Sequence, residues 1–182
     1  MVRFDRSFAL RLATALTLAT TLYATAQACT RLVYLGPNDN VITARSMDWK
    51  NDIATHLWIF PRGMERSGEA GNRSLHWTSR YGSVIASGYD ISTTDGVNEA
   101  GLMANVLWLV ESQYPEFTGK KPGLTIAAWA QYVLDNFATV EEAVSALREE
   151  PFTIVTDKVR ERNVSPPCIY RYPIHPAIAP LS

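Results

Sequence analysis

The chain has 182 residues, 47% of them hydrophobic and 19% charged, a balance that suits a folded domain and excludes a coiled coil or a disordered polyelectrolyte. Lys and Arg number 17 against 18 Asp and Glu, so no basic excess is present to hold nucleic acid phosphates, and a nucleic-acid partner is disfavoured.

Residues 1–28 depart from that average in a fixed order. Arg3 and Arg6 come first, then a run of Ala, Leu and Thr, then Ala26-Gln27-Ala28. This is the layout of a secretory signal peptide, with small residues where signal peptidase needs them. The apolar stretch from Leu12 to Leu22 follows Arg11 directly and is too short to span a bilayer. Cleavage after Ala28 is expected to deliver a periplasmic or secreted protein without a membrane span, whose first residue is Cys29.

A cysteine at that position has three readings. It can pair with Cys168 in an oxidising compartment, although two cysteines so far apart form no disulfide framework. It can carry a lipid anchor, a signal that wants a larger aliphatic residue where Ala26 stands. Or it can act as a nucleophile whose own α-amine is the general base, since an unperturbed amine titrates at about 7.7 to 8.0 and a thiol at about 8.5. The last reading needs no histidine. His56, His76 and His175 fall in no triad or metal spacing, and neither a metal nor a cofactor is expected.

After the cut, Thr30–Leu35 alternates polar and apolar residues, a turn follows at Gly36-Pro37-Asn38-Asp39, and Asn40–Met47 returns as a second strand. This predicts a hairpin with Cys29 at its free end and Arg45 and Asp48 brought back beside it. Leu57–Phe60 and Ser83–Ser87 are further strands, separated by a loop over Arg62–Arg73. Asp95-Gly96 and Asn98-Glu99-Ala100-Gly101 carry turn chemistry, and Leu102–Val110 is apolar enough for a buried strand. A helix is expected over Leu124–Phe137, a second to Glu149 behind the capping box Thr139-Val140-Glu141-Glu142, then a strand at Phe152–Val155. Strands followed by a helix pair imply an α+β layered domain over 29–158. The segment 159–182, crowded with Pro166, Pro167, Pro173, Pro176 and Pro180, reads as an irregular tail.

Cys29-Thr30, Arg45-Ser46-Met47-Asp48-Trp49 and Gly96-Val97-Asn98-Glu99-Ala100-Gly101-Leu102, in that order and spacing, resemble the choloylglycine hydrolase family, also called linear amide carbon–nitrogen hydrolases. The resemblance covers Cys29 to about Lys158. It implies an αββα four-layer sandwich, of which this chain would hold the N-terminal part, and an N-terminal cysteine that attacks a linear amide. By the same resemblance Cys29 is the nucleophile and Arg45 the cation beside it, favouring thiolate; a surface ion pair is the plainer role for an arginine there. Asp48 matches the family aspartate that orients the α-amine through a charge-assisted bond, against the ordinary role of a turn cap.

Trp49 and Trp108 are similar to an aromatic pair of the Gram-negative branch, which implies a ring-shaped apolar acyl pocket, with the Trp108 backbone N–H as one oxyanion donor. Core packing is the commoner fate of such residues. Asn98 and Gly101 are expected to shape a turn and touch no substrate. Substrates implied by the family are phenoxyacetyl penicillins, N-acyl homoserine lactones and glycine- or taurine-conjugated bile salts, with a homo-oligomer as a further possibility. The family's asparagine oxyanion donor and a second arginine come from sequence beyond Ser182. An inactive truncated remnant or secreted binding module therefore stands as the rival expectation, and a lipid-anchored protein with acylated Cys29 as another.

Overall fold

The computed structural model describes residues 29–156, apart from 39, 50 and 109–111, together with the strand 174–179. The leader read over 1–28 and the remainder of the segment 159–182 lie outside the described residues. In chain order the elements are β1 (Arg31–Leu35), β2 (Val41–Arg45), β3 (Leu57–Phe60), β4 (Glu65–Ser67), β5 (His76–Thr78), β6 (Ser83–Gly88), β7 (Ser92–Asn98), β8 (Met103–Trp108), β9 (Gly123–Thr125), α1 (Ile126–Asn136), α2 (Val140–Arg148), β10 (Thr153–Val155) and β11 (Ile174–Ala179).

Five strands form an antiparallel sheet in the order β11-β8-β7-β6-β3. Its two faces differ because side chains alternate along each strand. Ile85, Ala104 and Val106 point to one face and pack under α1, where Leu124, Trp129, Ala130, Val133, Leu134 and Phe137 complete the core. Gly96 lies on the same face, and a Cβ there would stand 2.6 Å from Leu134 Cδ1 and 2.7 Å from Ile85 Cγ2. The missing side chain is what lets α1 approach the sheet. The other face carries Asp95 and Asn105 in register, along with Leu57, Ile59 and Val84, which are 77%, 80% and 43% exposed.

The hairpin of β1 and β2 pairs Arg31 with Arg45 and Leu35 with Val41. It lies on the side of the sheet opposite the helices, tied there by Arg45. The described layers are therefore helices, five-stranded sheet and hairpin, the α+β architecture expected from the order of elements. The second helix also starts as read: Thr139 Oγ1 accepts the Glu142 N–H at 3.2 Å, and Glu142 Oε2 accepts the Ala138 N–H at 2.9 Å.

Four local expectations are corrected. The stretch Arg62–Arg73 is not all loop: β4 pairs with β5, and a 3-10 turn covers Gly71–Arg73. The strands are three residues long, so alternation had no length in which to declare itself. Asp95-Gly96 sits inside β7, because there the glycine serves close helix packing and not a turn. Leu124 belongs to β9, which pairs in parallel with β10, so α1 begins two residues later at Ile126. Within the expected irregular tail, Ile174–Ala179 forms β11 against β8. Pro176 is compatible with this because β11 is an edge strand and need not donate outward.

The ladder β4–β5 is locked to α1 by a buried polar cluster. Asp135 is fully buried; its Oδ2 accepts from Trp77 Nε1 at 2.8 Å, its Oδ1 accepts from Gln131 Nε2 at 2.7 Å, and Arg66 Nε lies 3.4 Å from Oδ2. Burial raises the Asp135 carboxyl above its ordinary range, opposed by the Trp77 and Gln131 bonds and by the Arg66 charge. The folded state therefore holds this proton more tightly than the unfolded chain does. Stability falls as pH rises from the ordinary carboxylate value through the raised one, and is flat above it. In urea titrations from acid to neutral pH, Asp135→Asn is expected to remove that decline. Asp135→Ala, which strands the Arg66 guanidinium and two N–H donors, is expected to cost about 2 to 4 kcal/mol.

Candidate active site

The site is built at the open end of the hairpin. Beyond the regular ladder the two strands stay in contact: Ser46 N–H donates to Thr30 O at 2.9 Å, and Thr30 N–H donates to Ser46 Oγ at 3.2 Å. The Ser46 hydroxyl in turn donates to Asp48 Oδ2 at 3.1 Å. Asp48 is thus joined through one hydroxyl to the amide immediately after Cys29. Cys29 is half-buried, with its sulfur in no disulfide, and Cys168 lies outside the described residues.

Arg45 is nine-tenths buried and reaches from the hairpin to the sheet. Its Nε sits 2.9 Å from Asp95 Oδ1, an ion pair whose angle falls outside a hydrogen bond. Its Nη2 donates to the Val106 carbonyl and its Nη1 to the Ser46 carbonyl at 3.4 Å. Asn105, 2% exposed, donates from Nδ2 to the same Asp95 oxygen at 2.8 Å, so the carboxylate is fixed to the sheet before the arginine meets it.

The hairpin therefore gathers Cys29, Arg45 and Asp48, as expected. Trp49 follows at once and donates from Nε1 to Tyr89 Oη at 2.9 Å. Trp108 ends β8, two residues beyond the carbonyl that Arg45 holds, with Ile174 opposite; its side chain lies outside the described residues. Asn98 and Gly101 shape the turn between β7 and β8. Asn98 Oδ1 accepts from Ala100 and Leu102, its Nδ2 donates to Leu134 O and Phe137 O, and Gly101 has φ of 89°.

Sequence reasoning missed Asp95, Asn105, Ser46 and Arg31. Asp95 was hidden by Asp-Gly, a turn signature. Its position two residues before Val97, in a run with β alternation, was the available signal.

The side chain of His175 lies outside the described residues. His56 Nδ1 lies 2.9 Å from Asp90, whose carboxyl is held below its ordinary range first by the Ser87 hydroxyl and then by His56. Among the described residues no group of three or more His, Cys, Asp and Glu could hold a metal ion. No described helix is long and apolar enough to cross a membrane. A cavity of about 520 Å³ lies on the helical side of the sheet, between Phe60, Arg66, Trp77 and Gln131, away from Cys29.

Comparison with known proteins assigns the family. The family model described as linear amide C–N hydrolases, choloylglycine hydrolase family, matches residues 29–172, past the boundary expected near Lys158. The chain is 64% identical over 141 residues to a penicillin V acylase from Pectobacterium atrosepticum, covering 72% of this chain and 38% of that relative. It is similar to the structure of penicillin V acylase from Agrobacterium tumefaciens, with 75% identity and a TM-score of 0.67 over 69% of this chain and 40% of that one. A mutant of conjugated bile acid hydrolase from Clostridium perfringens shares the fold, with a TM-score of 0.63 at 21% identity over 85% and 45% of the two chains. The chain thus spans less than half the length of these relatives. With its family model covering most of the sequence, it belongs to the linear amide C–N hydrolases of the choloylglycine hydrolase family.

Proposed function

We propose that this protein carries the nucleophilic part of a penicillin V acylase-type amidase, exported and processed so that Cys29 bears a bare α-amine. The carrying observation is the convergence of Cys29, Arg45 and Asp48 at one hairpin end, in a chain 64% identical to one penicillin V acylase and 75% identical to another. The leader over 1–28 supports a periplasmic or secreted location. In the reaction the α-amine of Cys29 takes the thiol proton and the thiolate attacks the amide carbonyl. The protonated amine then gives its proton to the leaving nitrogen as the C–N bond breaks. Water finally cleaves the thioester and releases the acid.

Asp48 orients the amine by a charge-assisted bond, its Ser46 bridge to the Thr30 N–H holding it beside Cys29, and the Trp108 N–H is a donor to the oxyanion. Trp49 and Trp108 favour substrates with an aromatic or long acyl chain, placing phenoxyacetyl penicillins and N-acyl homoserine lactones before conjugated bile salts.

A secreted binding module without catalysis is the second reading. The observation that favours it is the exposed apolar sheet face at Leu57 and Ile59, large side chains that a monomer rarely leaves together in water.

A panel of penicillin V, an N-acyl homoserine lactone and a glycine-conjugated bile salt, run with the processed chain and a Cys29→Ser variant, separates the readings. Turnover of penicillin V is expected, falling by about a hundredfold or more in Cys29→Ser. Binding without turnover of any of the three supports the module instead. Asp95→Asn is expected to cost about 1 to 3 kcal/mol of stability, less than a fully buried pair because Asp95 is partly exposed. It is also expected to slow alkylation of Cys29 by iodoacetamide as much as Arg45→Gln does, with the double variant no slower than either. Additive losses would mean that Asp95 does not act through Arg45.

A further inference from the structure

Arg31 opens β1 two residues after Cys29, on the face of the hairpin that carries Arg45. Directly opposite it stands Arg45. Two guanidinium groups on one face destabilise a hairpin unless each meets a negative charge. Arg45 has Asp95 for this purpose. Arg31 has no hydrogen bond to any described residue, although its Nε and Nη2 are both buried. Burial pushes this guanidinium below its ordinary value, the mark of a cation that has lost water and gained no partner.

A desolvated cation in this state is completed by an anion from outside the chain. A guanidinium is the group best suited to a planar carboxylate, which it can hold with two parallel bonds. We propose that Arg31 is a subsite for an acidic group, a carboxylate or sulfonate, carried by the substrate close to the bond that Cys29 attacks. This rests on Cys29 being the nucleophile and deepens that reading: it sets anionic amides apart from neutral ones. Asp95 cannot serve both arginines equally, since Arg45 already occupies its Oδ1 and Asn105 shares that oxygen.

The test compares alkylation of Cys29 by iodoacetate and by iodoacetamide, reagents of similar size that differ in charge, on the chain processed to begin at Cys29. The ratio of the two rates is expected to fall about threefold to tenfold in Arg31→Gln, the effect of removing one nearby cation. In Arg31→Lys, which keeps the charge, it is expected to stay near that of the parent. An unchanged ratio in Arg31→Gln overturns the proposal. Should Arg31→Gln fail to fold, protection of the parent thiol gives the same answer: phenoxyacetylglycine is expected to shield Cys29 at lower concentration than its methyl ester, and equal shielding overturns the subsite. Neither readout requires turnover. A chain that discriminates charge yet hydrolyses nothing therefore counts against the amidase reading alone, and one that hydrolyses without discriminating counts against Arg31 alone.

Discussion

The contact between Arg45 and Asp95 is the constraint on which the arrangement of the site depends. A two-stranded hairpin is marginal by itself in water, and this one exposes Leu32, Tyr34 and Ile42 on its outer face. Its inward face is anchored to the five-stranded sheet through the Arg45 guanidinium, held by a carboxylate and a backbone carbonyl. Because Asn105 fixes that carboxylate from the sheet side, the arginine meets a rigid receptor and its own direction is defined. Cys29 lies two residues before the strand opposite, so the geometry of its surroundings is inherited from a sheet about which the hairpin sequence contains no information.

The helical side supplies the rigidity. Gly96 brings α1 close to the strand that carries Asp95, and alternation then sends Asp95 to the opposite face. One residue thus packs the core while its neighbour builds the site. The cluster of Arg66, Trp77, Gln131 and Asp135 ties the same end of that helix to β4 and β5. Trp77 and Gln131 satisfy the Asp135 carboxyl, while Arg66 adds its charge with Nε and Nη2 in no hydrogen bond to a described residue, a costly burial that favours a defined arrangement over maximal stability.

Much of this was legible in the residues. The hairpin, the strand Leu57–Phe60 and the capped second helix follow from alternation and a capping box. The family motif placed Cys29, Arg45 and Asp48 together, because a tight hairpin returns the chain to its own beginning. Asp95, Asn105 and Arg31 were not legible, for separate reasons. Asp95 borders a glycine, and Asp-Gly signals a turn unless the helix that needs that glycine is already in view. Asn105 matters only through a cross-strand partner. Arg31 stands out through what it lacks, and a missing partner is visible only once neighbouring elements are placed. The edge strand Ile174–Ala179 was masked by prolines, whose meaning depends on whether a strand is central or at an edge.

The account as a whole requires that maturation leave an amine and a thiol on one terminal residue at the mouth of the hairpin. Mass spectrometry of the exported protein's N-terminal peptide tests this most directly. The expected result is a chain that starts at Cys29 with an unmodified amino group. A start at any other residue, or an acyl group on that nitrogen, would contradict it.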